Sequence, residues 1–312
     1  MADRIQKVLA QTGLGSRREI EGWIKEGRIR VNNRTAQLGD TITSDDKVTV
    51  DSRLIRFKRN GPDAPRVLIY NKPEGRICSR KDPEDRPNVY QAMPKVAGSR
   101  WVAVGRLDLN SSGLMLFTTD GELANRLMHP STEVHRVYSV RVLGNVSDDD
   151  IAQLKQGVEL DDGMANFDKI TDGGGEGANH WYNVTLREGR QREVRRLWEH
   201  LGFKVSRLIR IQYGMITLPR PLRANKTQEL TSQEVKKLYA SIKLEMPERV
   251  AGEQKRGRRA PTKRGRARTD TSKQIDTVDL SPRSNLGESK HAIYKGKSRS
   301  NTNFSNRGRS KR

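Results

Sequence analysis

"GRLDLNSSGL" occupies residues 105–114. It follows an apolar run, Trp101 to Val104, and carries one carboxylate, Asp108, close behind Arg106. The apolar run reads as a buried strand, so Asp108 stands where a strand gives way to a turn. A lone acid in that place needs a partner to remain ionised. The stretch "REGRQREVRRLWEHLG" (187–202) offers cations. A helix there puts Val194, Leu197 and Trp198 on its core face and leaves Arg192, Arg195 and Arg196 on or near the rim. Periodicity alone does not choose among the three, and an ordinary structural salt bridge is the competing reading of Asp108. The small residues after Asp108 leave space for another backbone or a ligand.

Outward from this stretch, strands outnumber helices. "RVLIYNKP" (66–73) is a buried-strand run ended by Pro73, while "VHRVYSVRVLG" (134–144) and "HWYNVTLREG" (180–189) alternate with period two. Helices are expected in "SDDDIAQLKQGV" (147–158), in "QREVRRLWEHLG" (191–202), stopped by Gly202, and in "TSQEVKKLYASI" (231–242), capped by Thr231 or Ser232. Many segments are separated by short turns. This predicts a mixed, largely antiparallel α+β domain rather than a doubly wound parallel sheet.

Three segments differ in composition. Residues 1–62 form a small basic module. Its first 60 residues hold thirteen Lys and Arg against eight Asp and Glu. Ile5, Val8 and Leu9 make the apolar side of a first helix. Ser16 and Glu19 have capping-box spacing, Ile20, Trp23 and Ile24 share the face that follows, and Gly27 ends the helix. "RIRVNNRTA" (28–36) reads as strand, Asn-Asn turn, strand, and "KVTVD" (47–51) as another strand. "NGPDAP" (60–65) has linker chemistry. Residues 63–246 have the composition of a folded domain. Residues 247–312 hold nineteen Lys and Arg against six Asp and Glu and almost nothing to bury, so a disordered basic tail is expected. The whole chain of 312 residues carries a formal net charge of +22, more than half of it in that tail. Such charge favours nucleic acid or an anionic surface as partner, with affinity that falls as salt rises.

Several chemistries lack their residues. No apolar run approaches the roughly 20 residues that span a bilayer. "MADRIQKVLAQTG" is charged early and has no apolar core of a secretory signal. Cys78, the single cysteine, fits a reducing, cytoplasmic setting and an indifferent thiol better than a catalytic one. His129, His135, His180, His200 and His291 have no metal-ligand spacing, so no metal is expected, and His129 before Pro130 reads as structural. No GxSxG elbow occurs. The Gly-rich "TDGGGEGANH" (171–180) reads as a turn or loop and lacks the strand, helix and lysine of a nucleotide-phosphate loop. Asp148, Asp149 and Asp150 open a helix, Asp161 and Asp162 make a turn, and Asp120 caps a helix; each has an ordinary structural reading.

"GRLDLNSSGLMLFTTDGELANRLMHPS" (105–131) closely resembles the catalytic motif of bacterial ribosomal RNA pseudouridine synthases of the small-subunit-synthase-A type. Agreement extends to "NKPEG" (71–75), "RVY" (136–138), "GGEGANHWYNVTLREGRQREVRRLWEHLG" (174–202) and "VSRLIRIQYG" (205–214). "RIQKVLAQTGLGSRREIEGWIKEGRIRVN" (4–32) resembles the S4 RNA-binding domain that precedes the catalytic domain in this family. The resemblance covers roughly residues 3 to 240 in the family's order. It implies isomerisation of uridine in RNA without cofactor or metal. Asp108 matches the essential aspartate, which attacks C1′ of the ribose or removes the C2′ proton. Tyr138 matches the tyrosine that packs on the target base. Arg195 matches the cation that pairs with the aspartate and would keep it ionised in a dry pocket. Leu208 matches an apolar pocket residue, and Arg106 is implied in displacing the target nucleotide. The small residues after Asp108 are then expected to make room for that nucleotide. Arg17, Arg18 and Arg28 are the expected phosphate contacts of the S4-like module. The substrate implied is ribosomal RNA of the large subunit or an assembly intermediate, with small-subunit RNA as the alternative site and a noncatalytic RNA-binding assembly factor as the alternative function. A monomer is expected.

Overall fold

Ser16 shows how the N-terminal module forms. Its hydroxyl accepts from the Glu19 amide at 3.1 Å while the Glu19 carboxylate accepts from the Ser16 amide at 2.9 Å. This reciprocal cap starts a helix where the sequence places it. The computed structural model describes residues 2–247 except 44, 56–63, 81, 97 and 176. Most of the expected linker (60–65) and all of the tail from 248 onward lie outside the described residues.

The module runs β1 (Asp3–Arg4), α1 (Ile5–Gln11), α2 (Arg17–Lys25), β2 (Ile29–Val31), β3 (Arg34–Thr35), β4 (Thr41–Ile42), β5 (Val48–Val50) and β6 (Arg53–Ile55). β1 pairs with β4, and β3-β2-β5-β6 form a small antiparallel sheet. Asn32 and Asn33 both adopt positive φ, 48° and 68°, which suits the tight turn between β2 and β3. Ile5, Leu9, Ile20, Ile24, Ile29, Ile42 and Val48 close one core.

The second domain follows as β7 (Val67–Lys72), β8 (Val102–Val104), β9 (Ser112–Thr118), α3 (Gly121–Met128), β10 (Arg136–Leu143), α4 (Asp148–Gln156), β11 (Val158–Leu160), β12 (Gly163–Ala165), β13 (Lys169–Gly174), β14 (Asn179–Leu186), α5 (Glu193–His200), β15 (Lys204–Tyr213), β16 (Ile216–Thr217), β17 (Thr227–Glu229) and α6 (Ser232–Ser241). Among the described residues nine of these strands form one sheet in the order β13-β14-β10-β15-β9-β7-β17, with β16 on β15 and β8 on β9. Within it only β15 and β9 run parallel. The largely antiparallel α+β expectation therefore holds. Both faces are covered. β7 and β9 send Leu68, Tyr70, Met115 and Phe117 to one core, shared with Leu197 and Trp198 of α5. They send Val67, Ile69, Leu114 and Leu116 to the other, under α3 and α6. That double burial explains their near-continuous apolar sequence.

The expected caps appear at Asp120 and Thr231, and Ser147 caps α4 in a reciprocal box with Asp150. β9 and β15 are strands that pattern reading did not single out. β9 begins inside the small residues after Asp108, and β15 lies at Gly113. A Cβ at Gly113 would collide with the Arg210 carbonyl oxygen and lie 2.8 Å from the Arg210 amide nitrogen. The glycine, at φ +99°, therefore admits a neighbouring backbone. Room for a flipped nucleotide is not what this residue provides.

Candidate active site

Asp108 lies in the loop between β8 and β9, on the wall of a cleft of about 970 Å³. The loop is held by its carbonyls. The Cys78 thiol donates to Leu107 O at 3.2 Å. The Lys72 ammonium, fully buried at the end of β7, donates to Asp108 O at 2.9 Å and Ser111 O at 2.7 Å, with longer contacts to Pro73 O (3.2 Å) and Leu109 O (3.4 Å). Gly75 N donates to Leu109 O at 2.9 Å, and Ser111 N to Asp108 O at 3.1 Å. Arg195 takes the remaining carbonyl, Asn110 O, at 2.9 Å. Every carbonyl from 107 to 111 thus has a donor, and the carboxylate of Asp108 stays outside the scheme, facing solvent in the cleft.

Two expectations change here. Arg195 is not on the rim of α5. It is 7 % exposed, and its guanidinium bridges Asn110 O and Val205 O (2.8 Å). Nor is Asp108 in a dry pocket with an ion-pair partner. Its side chain is exposed, so water solvates the charge, and among the described residues no ion pair joins it to Arg195. Burial, then the field of Arg192, lowers the pKa of Arg195, and the field of Asp108 raises it. The two groups therefore interact through space while Arg195 holds the backbone. α5 turns Arg195 inward because its other neighbours, Val194, Leu197 and Trp198, are all core residues.

Tyr138 and Leu208 both line the cleft, and they are 8 % and 4 % exposed. They come from the adjacent strands β10 and β15, where Tyr138 pairs with Arg210 and Val140 with Leu208. Arg106 is exposed and lines the same cleft. Arg17 and Arg18 are exposed in the first turn of α2. Arg28 is exposed as well but is engaged: Nε and Nη2 donate to the Asp51 carboxylate at 2.7 and 2.6 Å, and Nη1 reaches Glu26 at 3.1 Å. These bonds hold the Arg28 pKa above its ordinary value.

Three buried cations were missed. Lys72 is one. Arg136 donates to Arg187 O and to Glu188 O, the latter at 2.7 Å, and its guanidinium sits 5.2 Å from the Tyr213 ring. Arg210 donates from Nε to Leu114 O at 2.8 Å. A signal existed for Arg136: the period-two pattern puts it on the same buried face of β10 as Tyr138, Val140 and Val142. A charge at an inward position marks a polar partner inside.

The remaining candidates have local duties. Burial pushes the Cys78 thiol pKa up, which suits an indifferent thiol. Asp162 pairs with Arg196 at 2.9 Å. His129 Nδ1 accepts from Ser131 N at 3.2 Å, and His180 meets Asp172 at 2.7 Å. Among the described residues no group of three His, Cys, Asp or Glu side chains is placed to hold a metal ion, and no helix is long and apolar enough to cross a membrane.

Comparison with known proteins bears on this geometry. The family profile described as RNA pseudouridylate synthase matches residues 66–200, and the S4 domain profile matches residues 3–48. The chain is 54% identical over 248 residues to the ribosomal large subunit pseudouridine synthase B of Yersinia pestis, covering 79% of this chain and 78% of that one. It is 52% identical over 262 residues to the protein of the same name in Escherichia coli K12, covering 83% and 90%. A solved pseudouridylate synthase structure, 24% identical, superposes with a TM-score of 0.53 over 75% of this chain and 99% of that one, which supports the fold. The chain belongs to the RNA pseudouridylate synthase family, as an isomerase that joins an S4 domain to a pseudouridine synthase domain.

Proposed function

We propose that this enzyme converts uridine to pseudouridine in ribosomal RNA of the large subunit, in the cytoplasm and as a monomer, with Asp108 as the reacting carboxylate. The observation that carries the reading is an open carboxylate on a loop whose five carbonyls, 107 to 111, all have donors. Such a loop holds its acid at one place in the cleft before substrate arrives. An ionised Asp108 can attack C1′ or take the C2′ proton, and both routes free the uracil for rejoining through C5. Tyr138 offers a ring for the freed base, Leu208 an apolar wall, and Arg106 a cation at the mouth for displacing the nucleotide. Arg195 acts on Asp108 through the Asn110 carbonyl and through its field. The S4 module supplies phosphate contacts, Arg17 and Arg18 foremost, over residues 1–62. The catalytic domain occupies 63–246, and the basic stretch 247–312 adds salt-sensitive attraction.

The test uses transcribed large-subunit RNA fragments with neither metal nor nucleotide added. Wild type is expected to form pseudouridine at a defined site. Asp108→Asn is expected to lose on the order of 10³-fold or more in rate while it still binds RNA. Full activity of Asp108→Asn would sink the catalytic assignment. RNA binding by wild type without product would favour a noncatalytic assembly factor, and product on small-subunit RNA alone would move the substrate.

A further inference from the structure

The N-terminal module and the catalytic domain belong to one compact unit. They meet backbone to backbone. Gly13, in the turn after α1 at φ +84°, has so little clearance that a Cβ there would lie 2.8 Å from Ser99 O. The next residue, Arg100, is half-buried at this seam. It lines the main cleft together with Arg80 and Ser16. It also lines a smaller cavity of about 190 Å³ together with Lys7 and Arg17. Arg100 is therefore the point where the surface of the S4 module passes into the cleft that holds Asp108.

The chemistry at this point is one-sided. Among the described residues, Arg17, Arg80 and Arg100 make no ion pair, and Arg100 makes no hydrogen bond. Arg80 is held in place: its guanidinium lies 3.7 Å from the Tyr90 ring, and Nη2 donates to Trp101 O at 3.0 Å. The nearby acids have partners. Asp82 on the cleft wall is gripped by Arg86 at 2.7 and 2.9 Å, and Glu19 accepts from the Ser16 amide. Burial, then the field of Arg80, lowers the pKa of Arg100; Arg17 adds to this, and Tyr90 and Glu19 oppose it. Half-burying a cation beside two others, with no carboxylate in contact, disfavours the free protein. An anion in the groove reverses that sign.

We infer that Arg100, Arg80 and Arg17 form a phosphate site that holds the RNA backbone as it passes from the S4 module into the catalytic cleft. The inference rests on the reading of this protein as an RNA-modifying enzyme. A guanidinium suits the task because its fork matches two phosphate oxygens, and because Arg100 has no structural bonds to give up. A phosphate contact of this kind positions the strand without reading its sequence. It registers the target uridine over Asp108 from outside the pocket.

The experiment measures binding of a large-subunit RNA fragment by the full chain across a salt series, with thermal melting of the same variants. Arg100→Gln is expected to weaken binding roughly five- to tenfold and to reduce the slope of log K against log salt by about 0.7–0.9. Arg80→Gln moves both in the same direction. Arg100→Lys keeps the slope but binds less tightly than wild type, because it lacks the fork. Lys155→Gln, on α4 and lining neither cavity, removes the same charge and is expected to keep the wild-type slope. Relief of like-charge crowding leaves the melting temperature of Arg100→Gln unchanged or raised. An unchanged slope for Arg100→Gln would overturn the inference. So would a lowered melting temperature, since that marks Arg100 as a structural cation. The broader reading fails by a different sign: wild type that binds with the full slope yet makes no pseudouridine.

Discussion

The N-terminal module and the catalytic loop use cations in opposite ways. In the module the arginines stay outside. Arg17 and Arg18 face solvent, and Arg28 is tied to an acid at the surface. Around Asp108, where Arg106 is exposed, four cations lie inside and bind main-chain carbonyls: Lys72 on the 108–111 turn, Arg195 on Asn110, Arg210 on Leu114 and Arg136 on Arg187 and Glu188. A high count of basic residues therefore carries two meanings. Exposed cations report attraction to phosphate. Buried ones report how irregular backbone is fixed where a reaction needs one geometry. Arg100, half-buried and bonded to nothing, falls in neither group, which is why it points to a ligand.

The sharpest way to break this contrast is to remove the Lys72 clamp. Lys72→Met keeps an unbranched chain of similar length and deletes the ammonium. Ser111 O and Pro73 O lose their donor, while Asp108 O keeps Ser111 N and Leu109 O keeps Gly75 N. The expected cost is about 2–4 kcal/mol of stability in denaturant unfolding, from charge-assisted hydrogen bonds and buried acceptors left unpaired. Activity should fall further than binding, because the loop that carries Asp108 is no longer fixed. Wild-type stability together with wild-type rate would mean that the buried ammonium does not set the loop.

The same contrast explains what the sequence revealed. In α2 the informative residues are near neighbours: Ser16 with Glu19, then Ile20, Trp23 and Ile24. Local rules suffice, and the cap, the apolar face and the Asn32-Asn33 turn all appear where pattern reading puts them. The period-two segments behaved likewise, since alternation reports the buried face directly. Around Asp108 the partners are far apart in the chain. Lys72 binds carbonyls 36 to 39 residues away, Arg195 one 85 residues away and Arg210 one 96 residues away. No periodicity encodes such contacts. Motif resemblance singled out Asp108, Tyr138, Leu208 and Arg106, all of which line the cleft, but it cast Arg195 as an ion-pair partner, because a motif lists residue types and not the atoms they bind. β9 and β15 were missed because the close approach at Gly113 depends on a strand nearly one hundred residues later.

A smaller effect separates exposed cations by their prior engagements. Arg17→Gln is expected to reduce the salt slope of RNA binding by about one contact, near 0.7–0.9. Arg28→Gln should change it by less than half of that. Its guanidinium already has two carboxylates, and turning it toward a phosphate would mean giving up the bidentate bond to Asp51. Equal losses from the two variants would show that RNA draws Arg28 away from Asp51, and that engagement in the free protein is a poor guide to the bound state.

The smallest expected effect concerns Asp82, and it tests whether the groove beside Arg80 and Arg100 is short of acid. Asp82 lines the cleft but is held by Arg86, first through the side chain and then through the Arg86 amide, which lowers its pKa to about 2. The sign follows from linkage: a depressed carboxyl pKa contributes stability that is complete above the unfolded value, near 3.9, and is lost as pH falls through about 2. Carbon-detected titration of the Asp82 carboxyl should therefore give a midpoint well below the ordinary range, and Arg86→Gln should bring it back toward that range. An Asp82 freed in this way becomes a counter-ion within the basic groove, so the same Arg86→Gln variant is expected to bind RNA slightly more weakly than loss of one exposed charge explains. An ordinary midpoint in the wild type would mean that Asp82 is already available to Arg80 and Arg100. The one-sided charge at the seam would then be weaker than the contacts of Asp82 with Arg86 imply.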